Sequence, residues 1–146
     1  MKVYIIGSLR NPEIPLIGRR IRKLGFDVFD DWWGAGERAD ETWKEYEKLR
    51  GRSYRDALHG QAATNIFTLD HRNLNTSDVG VLVLPAGRSG HIELGYLIGQ
   101  GKRTYVLFNE EPSTRWDVMY RFATDVFFTE TALKNELKHL LTGGAQ

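Results

Sequence analysis

The chain contains no cysteine, and this absence excludes several kinds of chemistry. Without thiols there is no disulfide, no thiolate zinc site and no cysteine nucleophile. The histidines also lack the spacing that is typical of metal ligands. They are His59, His71, His91 and His139. We therefore predict neither a metal ion nor a cofactor.

Long apolar runs and a strong net charge are missing as well. The longest apolar runs have the length of strands, well short of the roughly 20 residues of a membrane helix, and no secretory signal is visible. We therefore expect a cytoplasmic protein with no membrane partner. The formal net charge is +1, which argues against a nucleic-acid polymer as partner. The cationic cluster at 19–23 is typical of a solvated helix face.

The centre of the chain predicts a strand, a helix and a second strand. Segment 79–84 is apolar without alternation, as in a strand that is covered on both faces. Leu94, Leu97 and Ile98 then form a stripe at helical spacing, and 105–108 reads as the next buried strand. Such a crossover is right-handed. The loop before its helix therefore lies at the carboxyl edge of the sheet, where ligands of open α/β sheets bind.

Similar units at both ends of the chain complete the predicted fold. Strands are expected at 3–6, 26–29 and 125–128, which gives a five-stranded parallel sheet with helices on both faces. Segment 31–75 interrupts this alternation as a helical excursion, and insertions of that length tend to be functional walls or lids. We predict one doubly wound α/β domain over 1–146.

Three carboxylates are candidates for chemistry. Glu93 is predicted in the first turn of the central helix, where Gly90 and Gly95 leave room for a ligand. It suits a nucleophile or base, although a glutamate there also simply favours the helix dipole. Asp70 has apolar neighbours, and a desolvated carboxyl suits a proton donor. Asp78 precedes a strand, so it is either a substrate contact or an ordinary turn residue.

Two loops suggest an anion site. Each follows a buried strand and precedes a helix, so that backbone N–H groups, a serine and an arginine can bind a phosphate or a ribose-bearing ligand. Tyr4 lies in the first strand, where most tyrosines belong to the core. Trp32 follows the second strand, and its ring suits stacking on a planar base. The candidate loop residues are Gly7, Ser8, Arg10, Gly87, Arg88, Ser89 and Gly90.

With Tyr4, Asp70 and Asp78 in this order, and with the segment Glu93-Leu94-Gly95-Tyr96 after them, the chain resembles the nucleoside 2-deoxyribosyltransferase family over nearly its whole length. The resemblance implies a flavodoxin-like strand order and a homodimer or larger homo-oligomer, in which a neighbouring subunit completes the pocket. It implies that Glu93 attacks the anomeric carbon of a deoxyribosyl group, that Tyr4 orients this carboxylate and that Asp70 protonates the departing base. The partners would be a nucleoside or nucleotide and a free base.

Three functions remain open at this point. Deoxyribosyl transfer between bases is the first. The second is hydrolysis of nucleoside 5′-monophosphates, because the Gly7-to-Arg10 loop resembles the phosphate loop of related N-glycosidases and because Arg88 stands where transferases carry an acidic residue. The third is a non-catalytic nucleotide-binding module. Such a module has no need of Glu93 and Asp70 together, so the sequence favours an enzyme.

Overall fold

The computed structural model describes residues 1–143, so the last three residues of the predicted domain lie outside the described part. The sheet has five parallel strands in the order β2-β1-β3-β4-β5. This is the flavodoxin-like order, and the prediction is confirmed. The strands are β1 (Lys2–Ile6), β2 (Asp27–Phe29), β3 (Val79–Val83), β4 (Arg103–Leu107) and β5 (Asp125–Phe127).

Helices cover both faces of the sheet, as predicted for a doubly wound domain. Side chains of α1 and α6 pack on one face, together with Val3, Ile5 and Val81. Side chains of α4 and α5 pack on the other, together with Tyr4 and Ile6. The helices are α1 (Ile14–Arg22), α2 (Ala39–Leu49), α3 (Tyr54–Leu58), α4 (Gln61–Thr76), α5 (Arg88–Gly99) and α6 (Glu130–Leu141).

The middle strand explains why the apolar run of the sequence had no alternation. All five residues of β3 are buried, because β1 and β4 flank it and helices cover both of its faces. Gly80 permits this close cover, since a Cβ there would lie 2.4 Å from Leu97 Cδ1 of α5. This close packing of α5 on β3 also positions the beginning of α5 relative to the edge of the sheet.

The excursion between β2 and β3 is helical, as predicted. It comprises a 3₁₀ turn at Asp31–Ala35 and helices α2, α3 and α4. Near the end of the chain, Val118–Phe122 forms a further 3₁₀ turn before β5. Within residues 1–143, no helix combines the length and apolar character needed to cross a bilayer.

Candidate active site

Tyr4 and Glu93 meet beneath helix α5. Residue 4 of β1 points to the α4/α5 face and is 1% exposed. Its hydroxyl donates a hydrogen bond of 2.5 Å to Glu93 Oε2. The two residues are 89 positions apart in sequence, so only the sheet and its crossover bring them together.

Glu93 lies in the second turn of α5 and not in the first. The helix begins at Arg88, earlier than the sequence suggested, and its first turn contains no acidic residue. The favourable effect of a helix dipole on a carboxylate is confined to the first turn. The helix dipole therefore does not explain why a glutamate occupies this position. Its distinguishing contact is the hydrogen bond from Tyr4.

Asp70 is the third member of the group. It lies on α4, is half-buried, and its charge contributes to raising the pKa of both Glu93 and Tyr4. Because α4 packs beside α5 on the same face of the sheet, the carboxyl groups of Asp70 and Glu93 are close enough to interact electrostatically. We call these residues, Tyr4, Asp70 and Glu93, the acidic trio.

Burial raises the pKa values of both carboxyl groups of the acidic trio into the near-neutral range. It raises the pKa of Glu93 to about 7, against the opposing effect of the Tyr4 hydrogen bond and with a further rise from the charge of Asp70. Burial also raises the pKa of Asp70 to about 6. The pKa of Tyr4 rises far above its ordinary value, chiefly through burial and then through the charge of Glu93. Tyr4 therefore remains a hydrogen-bond donor at any physiological pH.

The two candidate anion loops lie at the carboxyl edge, after the adjacent strands β1 and β3. Gly87 precedes α5, and Arg88 and Ser89 are exposed in its first turn. Ser8 Oγ accepts a hydrogen bond of 3.1 Å from the backbone N–H of Arg10. The Arg10 guanidinium is exposed and lies 3.9 Å from a carboxylate of α2. Both loops thus present cationic side chains to solvent at the edge where a ligand was expected.

The structure does not bring Asp78 to this edge. Asp78 Oδ2 accepts a hydrogen bond of 2.8 Å from the backbone N–H of Lys2, so it joins the beginnings of β3 and β1. Parallel strands begin at one edge and end at the other. Asp78 therefore lies at the edge opposite the loops and is a structural carboxylate in this fold.

Gly90 and Trp32 also make contacts that stabilise the fold. Gly90 is buried, and a Cβ there would lie 3.1 Å from Ile6 Cγ2 and 3.3 Å from Leu82 Cδ1, so this glycine lets α5 pack closely on the sheet. Gly7 is similar, since a Cβ there would lie 2.6 Å from Ile14 Cδ1. The indole N–H of Trp32 donates to the Ile5 carbonyl at 2.7 Å, which fixes the half-buried ring beside the end of β1.

Sequence reasoning missed the polar contacts that join α4 to α5 beside the acidic trio. Tyr96 donates a hydrogen bond to Asn75, and it also contacts His71. His71 and Asn75 stand four apart on α4, which is the spacing of one helix face. Within residues 1–143, no group of three or more histidines, aspartates and glutamates is placed to hold a metal ion.

Three solved structures are similar to this one over almost their full length. A 2-deoxyribosyltransferase from Bacillus psychrosaccharolyticus matches with a TM-score of 0.62 at 16% identity, covering 92% of this chain and 91% of its own. A conserved protein from Enterococcus faecalis V583 matches with a TM-score of 0.63 at 16% identity, covering 95% and 98%. A CMP N-glycosidase from Clostridium botulinum matches with a TM-score of 0.55 at 13% identity, covering 94% and 98%.

This chain has their fold. No protein-family model matches the sequence, and no curated protein is significantly similar to it. Because the identities to the solved structures are low, the likeness establishes the architecture and the strand order.

Proposed function

We propose that this protein is an enzyme that cleaves the N-glycosidic bond of a nucleoside and transfers the 2-deoxyribosyl group to another base. The observation that carries the proposal is the hydrogen bond of 2.5 Å between Tyr4 and Glu93, next to a second carboxyl with a raised pKa. Two of the similar structures are a 2-deoxyribosyltransferase and a CMP N-glycosidase. Cleavage of an N-glycosidic bond suits such a pair of carboxyls, one to stabilise the sugar cation and one to protonate the base.

In the first half-reaction, an ionised Glu93 oxygen forms a bond to the anomeric carbon as the bond from that carbon to the base breaks. The electron pair of the broken bond remains on the base, which takes a proton from Asp70. The sugar passes through an oxocarbenium-like state that a carboxylate beneath the ring stabilises and then traps as an ester. Tyr4 holds the attacking carboxylate in place.

In the second half-reaction, a new base attacks the anomeric carbon and displaces Glu93. Ionised Asp70 accepts the proton that this incoming base loses, in the reverse of the first step. Each catalytic group therefore returns to its starting protonation state, and no cofactor is required. The configuration at the anomeric carbon is retained, because it is inverted twice.

The cationic loops favour a second candidate, hydrolysis of nucleoside 5′-monophosphates. Arg88 and Ser89 stand at the beginning of α5, where the backbone N–H groups also favour an anion, and the turn at Ser8 and Arg10 follows the adjacent strand. A phosphate held there would bring a nucleotide to the acidic trio. Water would then take the place of the incoming base.

One incubation separates these functions. The protein is mixed with deoxynucleosides, deoxynucleoside 5′-monophosphates and a free acceptor base, and the products are separated by chromatography. A new nucleoside supports transfer, whereas free base with sugar phosphate supports hydrolysis of monophosphates. Saturable ligand binding without any released base, even after long incubation, would mean a binding module and would refute both enzymatic proposals.

The role of Glu93 is tested by Glu93→Gln, which keeps the size of the side chain and an acceptor for Tyr4. We expect base release to be abolished, because the amide is not a competent nucleophile, while the fold remains intact. Glu110→Gln, in the exposed loop after β4, is the matched control and should be as active as the wild type. Undiminished turnover of Glu93→Gln would remove this residue from the mechanism.

We also propose that the chain assembles as a homodimer or larger homo-oligomer. Several large apolar side chains on helices near the acidic trio are exposed, among them Phe67 at 64% and Ile92 at 73%. Apolar surface of this kind is a common feature of interaction sites. Light scattering after size exclusion should give a mass of at least two chains. A single-chain mass at micromolar concentration would contradict this proposal.

A further inference from the structure

A group of polar side chains connects the helix that carries Asp70 to the helix that carries Glu93. The Tyr96 hydroxyl on α5 donates a hydrogen bond of 2.7 Å to Asn75 Oδ1 on α4. Gln100 Nε2, directly after the end of α5, donates to the same oxygen at 2.8 Å. His71 Nε2 on α4 lies 2.9 Å from the Tyr96 hydroxyl oxygen. We call these four residues the α4–α5 strap.

Tyr96 is the centre of the strap. Its hydroxyl has one proton, which goes to Asn75, so its oxygen accepts the second hydrogen bond. His71 Nε2 lies within hydrogen-bond distance of this oxygen and 3.4 Å from Asn75 Nδ2. The rings of these two residues are also in contact, with centroids 5.5 Å apart. Removal of the Tyr96 hydroxyl therefore breaks both of its links to α4 and leaves the ring in place.

The strap stands beside the acidic trio. His71 follows Asp70 directly in the sequence, and Tyr96 is three residues after Glu93, which places Tyr96 and Glu93 as neighbours on the helix surface. Over its 16 residues, α4 buries one side chain, Leu74. Because α4 buries so little apolar surface, polar contacts contribute to its position. Besides the strap, Lys102 Nζ donates to the Leu74 carbonyl near the end of the helix.

We propose that Tyr96, through Asn75 and His71, holds α4 against α5 and thereby sets the separation between Asp70 and Glu93. These are positioning residues, because they act through the two carboxyls of the trio. The catalytic consequence rests on the proposed function, since a nucleophile and a proton donor must reach the same sugar and base together. A displacement of about 1 Å between such groups costs up to about a hundredfold in rate.

The first test is kinetic and uses Tyr96→Phe, Asn75→Ala and the double variant. We expect kcat to fall about tenfold in each single variant while KM changes less than about twofold, since substrate contacts remain. The double variant should lose clearly less than the product of the two single losses, because both substitutions break the Tyr96–Asn75 hydrogen bond. Tyr54→Phe, an exposed tyrosine of α3, is the control and should be fully active. Multiplied losses in the double variant would overturn the proposal.

The second test does not require activity. The carboxyl groups of Asp70 and Glu93 are titrated by carbon NMR in the wild type and in Tyr96→Phe. A loosened α4 exposes Glu93 and moves Asp70 away, so the titration midpoint of Glu93 should fall in the variant, while Tyr54→Phe leaves it unchanged. If the Tyr96→Phe variant folds and its Glu93 titration midpoint equals that of the wild type, the proposed positioning role of the strap is wrong. An inactive wild type with the expected midpoint change would overturn only the proposed function.

Discussion

The replacement Tyr4→Phe tests the chemistry of the acidic trio most directly. It removes the hydroxyl that donates to Glu93 Oε2 and leaves the buried ring, which packs against Phe29 at 5.1 Å between centroids. The fold should therefore tolerate the change. What is lost is the hydrogen bond that favours the ionised form of Glu93, so we expect the pKa of Glu93 to rise above about 7.

The size of the effect follows from the protonation states. The reacting form has Glu93 ionised and Asp70 protonated, the reverse of what pKa values of about 7 and about 6 favour. The productive arrangement is therefore the minor one of the two singly protonated states. A hydrogen bond to a charged group contributes ~1.5–3 kcal/mol, which corresponds to a rise of roughly one to two pKa units at Glu93. The productive fraction then falls about 10- to 100-fold.

The assay is the pH dependence of kcat/KM for base release. In this protonation scheme, Asp70 governs the acid limb of the profile and Glu93 the alkaline limb. We expect Tyr4→Phe to lower the maximum by about 10- to 100-fold and to move the alkaline limb to higher pH, with the acid limb unchanged. Tyr105→Phe is the matched control. Tyr105 is the other fully buried tyrosine of the sheet and packs on the opposite face.

Two results would refute this reasoning. A Tyr4→Phe variant with the wild-type rate and an unmoved alkaline limb would show that the hydroxyl has no influence on the nucleophile. A variant whose full rate returns at high pH would show that ionised Glu93 is sufficient, and that the proton of Asp70 is not used. The control variant must be as active as the wild type in either case.

Three further predictions follow from the same site. Asp70→Asn should slow release of ordinary bases by about 10²- to 10⁴-fold and affect a substrate with an activated leaving group much less. Arg88→Ala should weaken binding of a deoxynucleoside 5′-monophosphate by about 10- to 100-fold, through loss of a charge-assisted hydrogen bond, and equal losses for the deoxynucleoside would contradict a phosphate role. Because the folded-state pKa of Glu93 is raised from 4.5 to about 7, the wild type should lose stability as pH rises through this window. Denaturant unfolding should therefore find Glu93→Gln more stable than the wild type at pH 8, by up to ~3 kcal/mol, and nearly equal to it at pH 4.

Several parts of the site could be predicted from local pattern. The break after the run at 79–84 located the loop of Arg88 and Ser89, because apolar runs and glycines report where strands end. The place of Asp78 was also predictable from the sequence. A residue that directly precedes a parallel strand lies at the amino edge, away from the ligand edge, and the structure places Asp78 there.

Other parts depend on distances that no local pattern contains. The spacing around Gly90 suggested room for a ligand, but the structure fills that space with Ile6 and Leu82. The turn of α5 that carries Glu93 depended on where the helix begins, and helix ends are the least certain feature of a sequence pattern. The strap between Tyr96 and Asn75 joins two helices whose relative position follows from how each packs on the sheet.

The sequence by itself determined the class of fold and the residue types available for chemistry, because hydrophobic periodicity is a local property of the chain. Tertiary structure alone decided that the Tyr4 hydroxyl meets Glu93 and that Asp70 shares their surroundings. It also decided the pKa values, since these depend on how much water each carboxyl has lost and on which charges surround it. Desolvation is a property of the packed molecule, and the same residues in an unfolded chain would titrate as ordinary acids.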